Sequence, residues 1–240
     1  MDATLPLISE PQRVREALTH CPVPAVHRAA TTGIGWLRAQ VPRFSNGDEH
    51  RRRRALVLAE LERLDPHALR TAARTTRGPL PHVRVLADAL GLPDISVEAV
   101  ELVAAHYQPH TPDNPAADGA VEDLIAACGG VADEVTAARI SLLVQACQAT
   151  ADLLANARTQ QLRAGASNRA AEVLARTMDQ HPPVPRTRRI VDGELVELDL
   201  TRDGLGFGAG PHECPGRTHA IAIAAGILEG HDPGQRKDSR

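Results

Sequence analysis

The stretch ADEVTAARISLLVQACQATADLLANARTQ, residues 132–160, contains neither Gly nor Pro and is apolar almost all round in its middle. Such a run reads as one long helix, and a helix apolar on every side has to be covered by other elements. The cover cannot be aromatic. Aromatic residues make up 2% of the chain and are limited to Trp36, Phe44, Tyr107 and Phe207. The core is therefore filled by Ala, Leu, Val and Ile, a mixture that suits helices packed closely on small residues. The 240 residues are enough for one substantial domain or two small ones.

The remaining segments fit that demand. Residues 1–46 are interrupted by Pro6, Pro11, Pro22, Pro24 and Pro42, which leaves a short helix near 11–19 and another near 31–40. Asn46-Gly47-Asp48 gives a turn and an N-cap for a helix over 49–63. Helices over 66–75, 83–93 (stopped by Gly91 and Pro93) and 96–106 follow. HYQPHTPDNPAADG, residues 106–119, reads as a proline-rich loop and an internal hinge, with helix resuming from Val121. A helix over 167–180 precedes RRIVDGELVELDL, where Asp192-Gly193 is a two-residue hairpin turn between extended runs. A last apolar helix spans 217–229, and GHDPGQRKDSR reads as a disordered tail. The expected organisation is an N-terminal segment 1–46, a helical domain 47–229 and a tail 230–240, mainly α with one small β-hairpin.

Charge and composition remove several functions. A net charge of −3 provides no global field toward nucleic acid or acidic lipid, and the scarcity of aromatics leaves few platforms for stacking bases. The run Arg51–Arg54 is a local exception that, taken alone, reads as a solvated basic face or an RNA-binding stretch. No segment has the apolar length of a membrane span, and MDATLPLISEPQRVRE lacks a signal-peptide core, so a cytoplasmic protein with reduced thiols is expected. Cys21, Cys128, Cys147 and Cys214 are scattered with no CxxC pair, which argues against a disulfide framework or a structural zinc site.

One segment carries a chemical signature. Phe207-Gly208-Ala209-Gly210-Pro211-His212-Glu213-Cys214-Pro215-Gly216 places three glycines and two prolines in an irregular loop directly before a helix. A cysteine at a helix N-terminus meets partial positive charge, which favours thiolate. Loop N–H groups can donate to its sulfur and tune a metal held there. Taken alone, the loop could also be a helix cap with an incidental cysteine. A zinc site through His212 and Cys214 lacks two further ligands at useful spacing.

These residues match the pattern F-x-x-G-x-x-x-C-x-G, and the loop resembles the ligand loop of the cytochrome P450 family. The resemblance implies a reduced P450-like helical fold. It also implies a b-type heme (iron protoporphyrin IX) with Cys214 as the axial iron ligand and Phe207, Gly208 and Gly216 shaping the loop against the cofactor. Looser similarities extend from about residue 44 to 229. Phe44 to Arg54 looks like the start of the family's C helix, which implies that His50 and Arg54, four residues apart, hold a heme propionate. The segment after His181-Pro182-Pro183 implies the same role for Arg189, with Arg186 and Arg188 as competitors, and His212 is a further donor. Val144 to Thr150 is similar to the oxygen-activating part of the family's I helix, which puts Ala146 beside the cofactor and Gln148 and Thr150 at the catalytic positions.

The departures bear on the chemistry. Gln148 stands where the family has an acid and Ala149 where it has a hydroxyl. Gln cannot exchange a proton at neutral pH and Ala cannot donate, so Thr150 and water substitute or oxygen is activated in another way. The family's Glu–Arg helical pair is replaced by Glu172 with Arg176, or by Arg176 with Asp179 in exchanged order. Only 18 positions separate Arg189 from Phe207, too few for the family's extended meander. The resemblance thus implies an oxidoreductase on a small organic substrate in a secondary-metabolite pathway, using dioxygen with a ferredoxin-type donor or using peroxide. A dehydration, rearrangement or coupling, or an accessory role, are the alternatives. An open heme face also suggests a homodimer.

Overall fold

The computed structural model describes residues 5–26, 30–164 and 169–230. Several of its early helices start where a proline stiffens the first turn or a polar side chain caps the free N–H groups. After strand β1 (Leu7–Ile8), helix α1 (Pro11–His20) opens on Pro11, and Glu10 accepts from the N–H groups of Gln12 and Arg13. Helices α2 (Gly33–Gln40) and α3 (Gly47–Glu62) follow. Next comes α4 (Pro66–Thr75), capped by Asp65, then α5 (Pro81–Ala89) and α6 (Val97–Ala105), the last capped by Ser96.

Helix α7 (Pro115–Ala127) begins earlier than the sequence suggests and shortens the expected loop over 106–119. The Asn114-Pro115 pair, read there as loop chemistry, is cap chemistry: Asn114 accepts from the N–H groups of Ala116 and Ala117, and Pro115 fills the first turn. The long helix is α8 (Glu134–Ala164), followed by α9 (Ala170–Gln180). The first residues of the expected helix 167–180, and the tail from 231, lie outside the described residues.

Strands β2 (Arg186–Val191) and β3 (Glu194–Asp199) form the hairpin, with Arg189 opposite Val196. Asp192 and Gly193 both have positive φ, 51° and 84°, as a two-residue turn of this twist requires. The sheet is larger than a hairpin, because β1 pairs in parallel with β3 to give the order β1-β3-β2. A two-residue strand shows no periodicity in the sequence. Helix α10 (Arg217–Gly230) completes ten helices among the described residues.

Helix α8 is the spine. Its Ile140, Leu143, Val144 and Leu153 are buried in one cluster with Leu37 of α2, Val83 of α5, Val100 of α6, Val121 of α7, Leu174 of α9 and Ile227 of α10. Each such side chain contributes roughly 1.5–3 kcal/mol by leaving water. A second, smaller cluster joins Val14 and Leu18 of α1 to Val196 and Leu198 of β3 and to Leu205 and Ala209. It clamps the segment that leads to Cys214 between α1 and the sheet.

Helix α10 crosses α4 at backbone distance. A Cβ on Gly226 or Gly230 would collide with the carbonyl of Arg70 or Arg74 respectively, and Glu229 binds both arginines across the crossing. Gly226→Ala should therefore destabilise the fold by about 1–3 kcal/mol, the usual cost of overpacking, despite the better helix propensity of Ala. Urea unfolding checks this; unchanged or increased stability would show that the helices can separate freely.

Candidate functional site

Backbone geometry makes the cysteine loop. Gly208 has φ 74° and ψ −167°, a conformation open essentially to glycine alone. Gly210, at φ 67°, lies against the α1 backbone, where a Cβ would come within 2.8 Å of Thr19 Cα. Two 3-10 turns, Leu205–Phe207 and Gly210–His212, fold the segment back on itself. The Cys214 N–H then donates to the Phe207 carbonyl at 2.9 Å. Phe207 is itself fixed by the Arg217 guanidinium, 5.2 Å from its ring centre.

Cys214 is exposed as a residue. Even so, enough protein surrounds its sulfur that burial raises the thiol pKa, against the lowering effects of the Gly216 N–H and the Arg54 and Arg43 guanidiniums. Burial thus opposes the thiolate, and a cation bound at the sulfur would favour it.

Around the loop stands a group of nitrogen side chains with few partners. His50 and His212 stack with ring centres 3.9 Å apart, and His212 Nε2 donates to the Ser45 carbonyl at 3.0 Å. Arg54 Nη2 donates to the Glu213 carbonyl at 2.8 Å. Arg189 is buried, and Nη1 donates to the Arg188 carbonyl at 2.8 Å. The alternation of β2 separates it from its neighbours: Arg186 and Arg188 both pair with Glu197. Arg43, which nothing in the sequence signals, joins the group; its charge acts on Arg189, and Cys214 acts on it. His50 Nε2, Arg189 Nε and Arg43 Nε are all buried with no hydrogen-bond partner.

Burial drives the pKa values of these groups down. Arg189 falls to about 10, with burial the main cause and Arg43 the second. His212 falls to about 4, through burial first and then through His50, Arg189 and Arg54. Both histidines are neutral at pH 7. Because the folded pKa of His212 lies below its unfolded value, the ligand-free protein should lose stability as pH drops from about 6.5 toward 4. Thermal melts across that range check this, and His212→Gln should flatten the dependence; identical profiles would contradict it.

The rest of the Arg run is engaged elsewhere. Arg51 pairs with Asp48, while Arg52 and Arg53 pair with Glu134. Arg54 alone turns to the cysteine loop. Among the described residues no three His, Cys, Asp or Glu side chains gather as a metal site. Cys214 and His212 therefore have no further partners for a closed zinc site.

On α8, Thr150 is buried and Ala146 is half-buried against the core. Gln148 is exposed, and its Nε2 donates to Asp152 Oδ1 at 2.8 Å. Asp152, one turn beyond Gln148, is thus the acid on that face. No hydrogen bond joins Gln148 or Thr150 to the Cys214 group among the described residues. Buried His82 of α5 donates from Nε2 to the Cys147 carbonyl at 2.8 Å and fixes the helix from behind. On α9, no ion pair joins Glu172 with Arg176, or Arg176 with Asp179, among the described residues.

The fold is that of the cytochromes P450. Among similar solved structures, P450BioI in complex with a hexadec-9Z-enoic acid-ligated acyl carrier protein has a TM-score of 0.66 at 16% identity, over 93% of this chain and 83% of that one. CYP164A2 of Mycobacterium smegmatis has a TM-score of 0.64 at 21% identity, over 93% and 82%. CxnD, a P450 for C–S bond formation in chuangxinmycin biosynthesis, has 0.62 at 14%, over 93% and 78%. No family model matches the sequence and no curated protein matches it. The likeness is one of fold. Among the described residues, no helix is long and apolar enough to cross a membrane.

Proposed function

We propose that the chain is a heme-thiolate oxidoreductase of the P450 type, with Cys214 as the iron ligand. The observation that supports this best is the set of unpartnered nitrogens beside Cys214. Buried cations without acids are costly, and they become favourable when a ligand brings carboxylates. The two propionates of a b-type heme fit that need. His50, Arg54, Arg189 and His212 would hold them, and Phe207, Gly208, Gly216 and Ala146 would border the ring. A bound heme supplies oxidising power drawn from peroxide, or from dioxygen and an electron donor.

The chain's own residues set the reaction type. Gln148 moves no proton, and its amide is oriented by Asp152, leaving Asp152 and Thr150 as the proton-bearing groups of that segment. An acid displaced by one turn favours peroxide use, or a coupling or rearrangement, over ordinary monooxygenation. A small organic substrate in a biosynthetic pathway fits both, and the neighbour described as forming a C–S bond in chuangxinmycin biosynthesis supports that reading. The experiment compares peroxide-driven turnover with turnover driven by a ferredoxin, its reductase and dioxygen, over a panel of small acceptors. Turnover with peroxide alone is expected. A heme-loaded chain silent in both systems is an accessory protein, and the enzyme reading falls.

A further inference from the structure

Three guanidiniums lie around Cys214, one more than the two proposed to hold the heme propionates. Arg43, Arg54 and Arg189 all lie there, and no carboxylate is ion-paired with any of them among the described residues. A b-type heme brings two propionates. Arg54 and Arg189 already donate to carbonyls of the cysteine loop and β2, on the side where His50 and His212 stack. Arg43 points to a different neighbour. Its guanidinium lies 5.6 Å from the Phe44 ring centre, and Phe44 in turn lies 5.2 Å from the Tyr107 ring, tilted by 56°.

Tyr107 follows α6 and is 2% exposed, yet its hydroxyl has no hydrogen-bond partner. The segment is held firmly, because Arg38 donates to the carbonyls of His106, Tyr107 and Gln108. Two strong donors, Arg43 Nε and the Tyr107 hydroxyl, are thus buried without a hydrogen-bond partner on residues that both pack against Phe44. Buried donors without acceptors are rare in folded proteins and costly. An acceptor with one negative charge and two oxygens would satisfy both.

We propose that Arg43 and Tyr107 form a subsite for the carboxylate of the substrate, so that the substrate class is a small carboxylic acid with an apolar body lying along Phe44. This rests on the heme reading, since the third cation is surplus only when two propionates occupy the other two. The carboxylate accepts from the guanidinium and the tyrosyl O–H, and the apolar body contacts the aromatic edge. An ester or amide of the same acid keeps the shape and loses the charge.

The test is calorimetric titration of the heme-loaded protein with phenylacetate and with methyl phenylacetate, with heme content measured on the same samples. The acid is expected to bind at least about tenfold more tightly than the ester. Tyr107→Phe, which removes only a hydroxyl, and Arg43→Gln should each abolish the preference with heme content unchanged. Arg43→Lys should restore part of it. Equal affinity for acid and ester, no binding of either, or a preference that survives Tyr107→Phe would overturn the subsite. Loss of heme in Arg43→Gln would make Arg43 a propionate holder and overturn it as well. A wild-type chain that takes up no heme would instead overturn the heme reading, and the heme measurement keeps the two failures apart.

Discussion

A Cys214→Ala variant is expected to fold as well as the parent chain and to bind heme at least about a hundredfold more weakly. The two halves of that result have separate physical sources. Cys214 is exposed and its sulfur fills no part of the main core. Removing it should leave stability within about 0.5 kcal/mol, the usual range for surface substitutions. Its N–H still donates to the Phe207 carbonyl, so the loop keeps its shape. The sulfur, however, is the atom of the loop proposed to bond iron, and outer-shell partners of metal sites alone contribute about tenfold to a hundredfold in affinity. Any ligand-field spectrum left in the variant must come from another group. A heme titration paired with a urea melt reads both effects; a variant that unfolds, or that binds heme unchanged, contradicts the assignment.

Arg189→Met should change the protein in two opposite directions. In the ligand-free chain Arg189 is a buried cation near Arg43, with its pKa lowered to about 10. A base whose folded pKa is depressed destabilises the fold wherever it is charged. The penalty is fully present below about 10 and fades as pH rises through that value toward the unfolded pKa. The variant should therefore be more stable than the parent at pH 7, by a figure on the order of 3 kcal/mol at most. The parent should also gain stability on alkaline titration above pH 10 where the variant does not. With heme present the order should reverse, because the variant lacks a group proposed to hold a propionate. Melting curves of both proteins with and without heme measure the crossover, and a variant destabilised in both forms would show that Arg189 has a structural role in β2 instead.

The sequence made parts of this legible and hid others for definite reasons. The Gly/Pro-free run and the Asp192-Gly193 turn read directly because periodicity and turn chemistry are local. The cysteine loop read directly because glycine conformations such as that of Gly208 leave a fixed pattern of residue types. Helix α7 was partly missed because Asn114-Pro115 serves a cap and a loop equally well in sequence. Strand β1 was missed because it exists only through its pairing with β3. At the site, His50, Arg54 and His212 sit in patterned segments, whereas Arg43 and Tyr107 come from segments with no pattern, 64 residues apart by numbering, and meet only through packing at Phe44. The displaced acid Asp152 is inconspicuous for a related reason: a helix turn places it beside Gln148, and adjacency in sequence does not show it.

The most direct test of the central claim is the absorption spectrum of the purified, heme-loaded chain, reduced and exposed to carbon monoxide. A thiolate at the iron predicts the long-wavelength carbonyl band characteristic of P450-type ligation, present in the parent and absent in Cys214→Ala. A colourless protein that takes up no heme, or a carbonyl spectrum of the histidine-ligated type unchanged by Cys214→Ala, would contradict it.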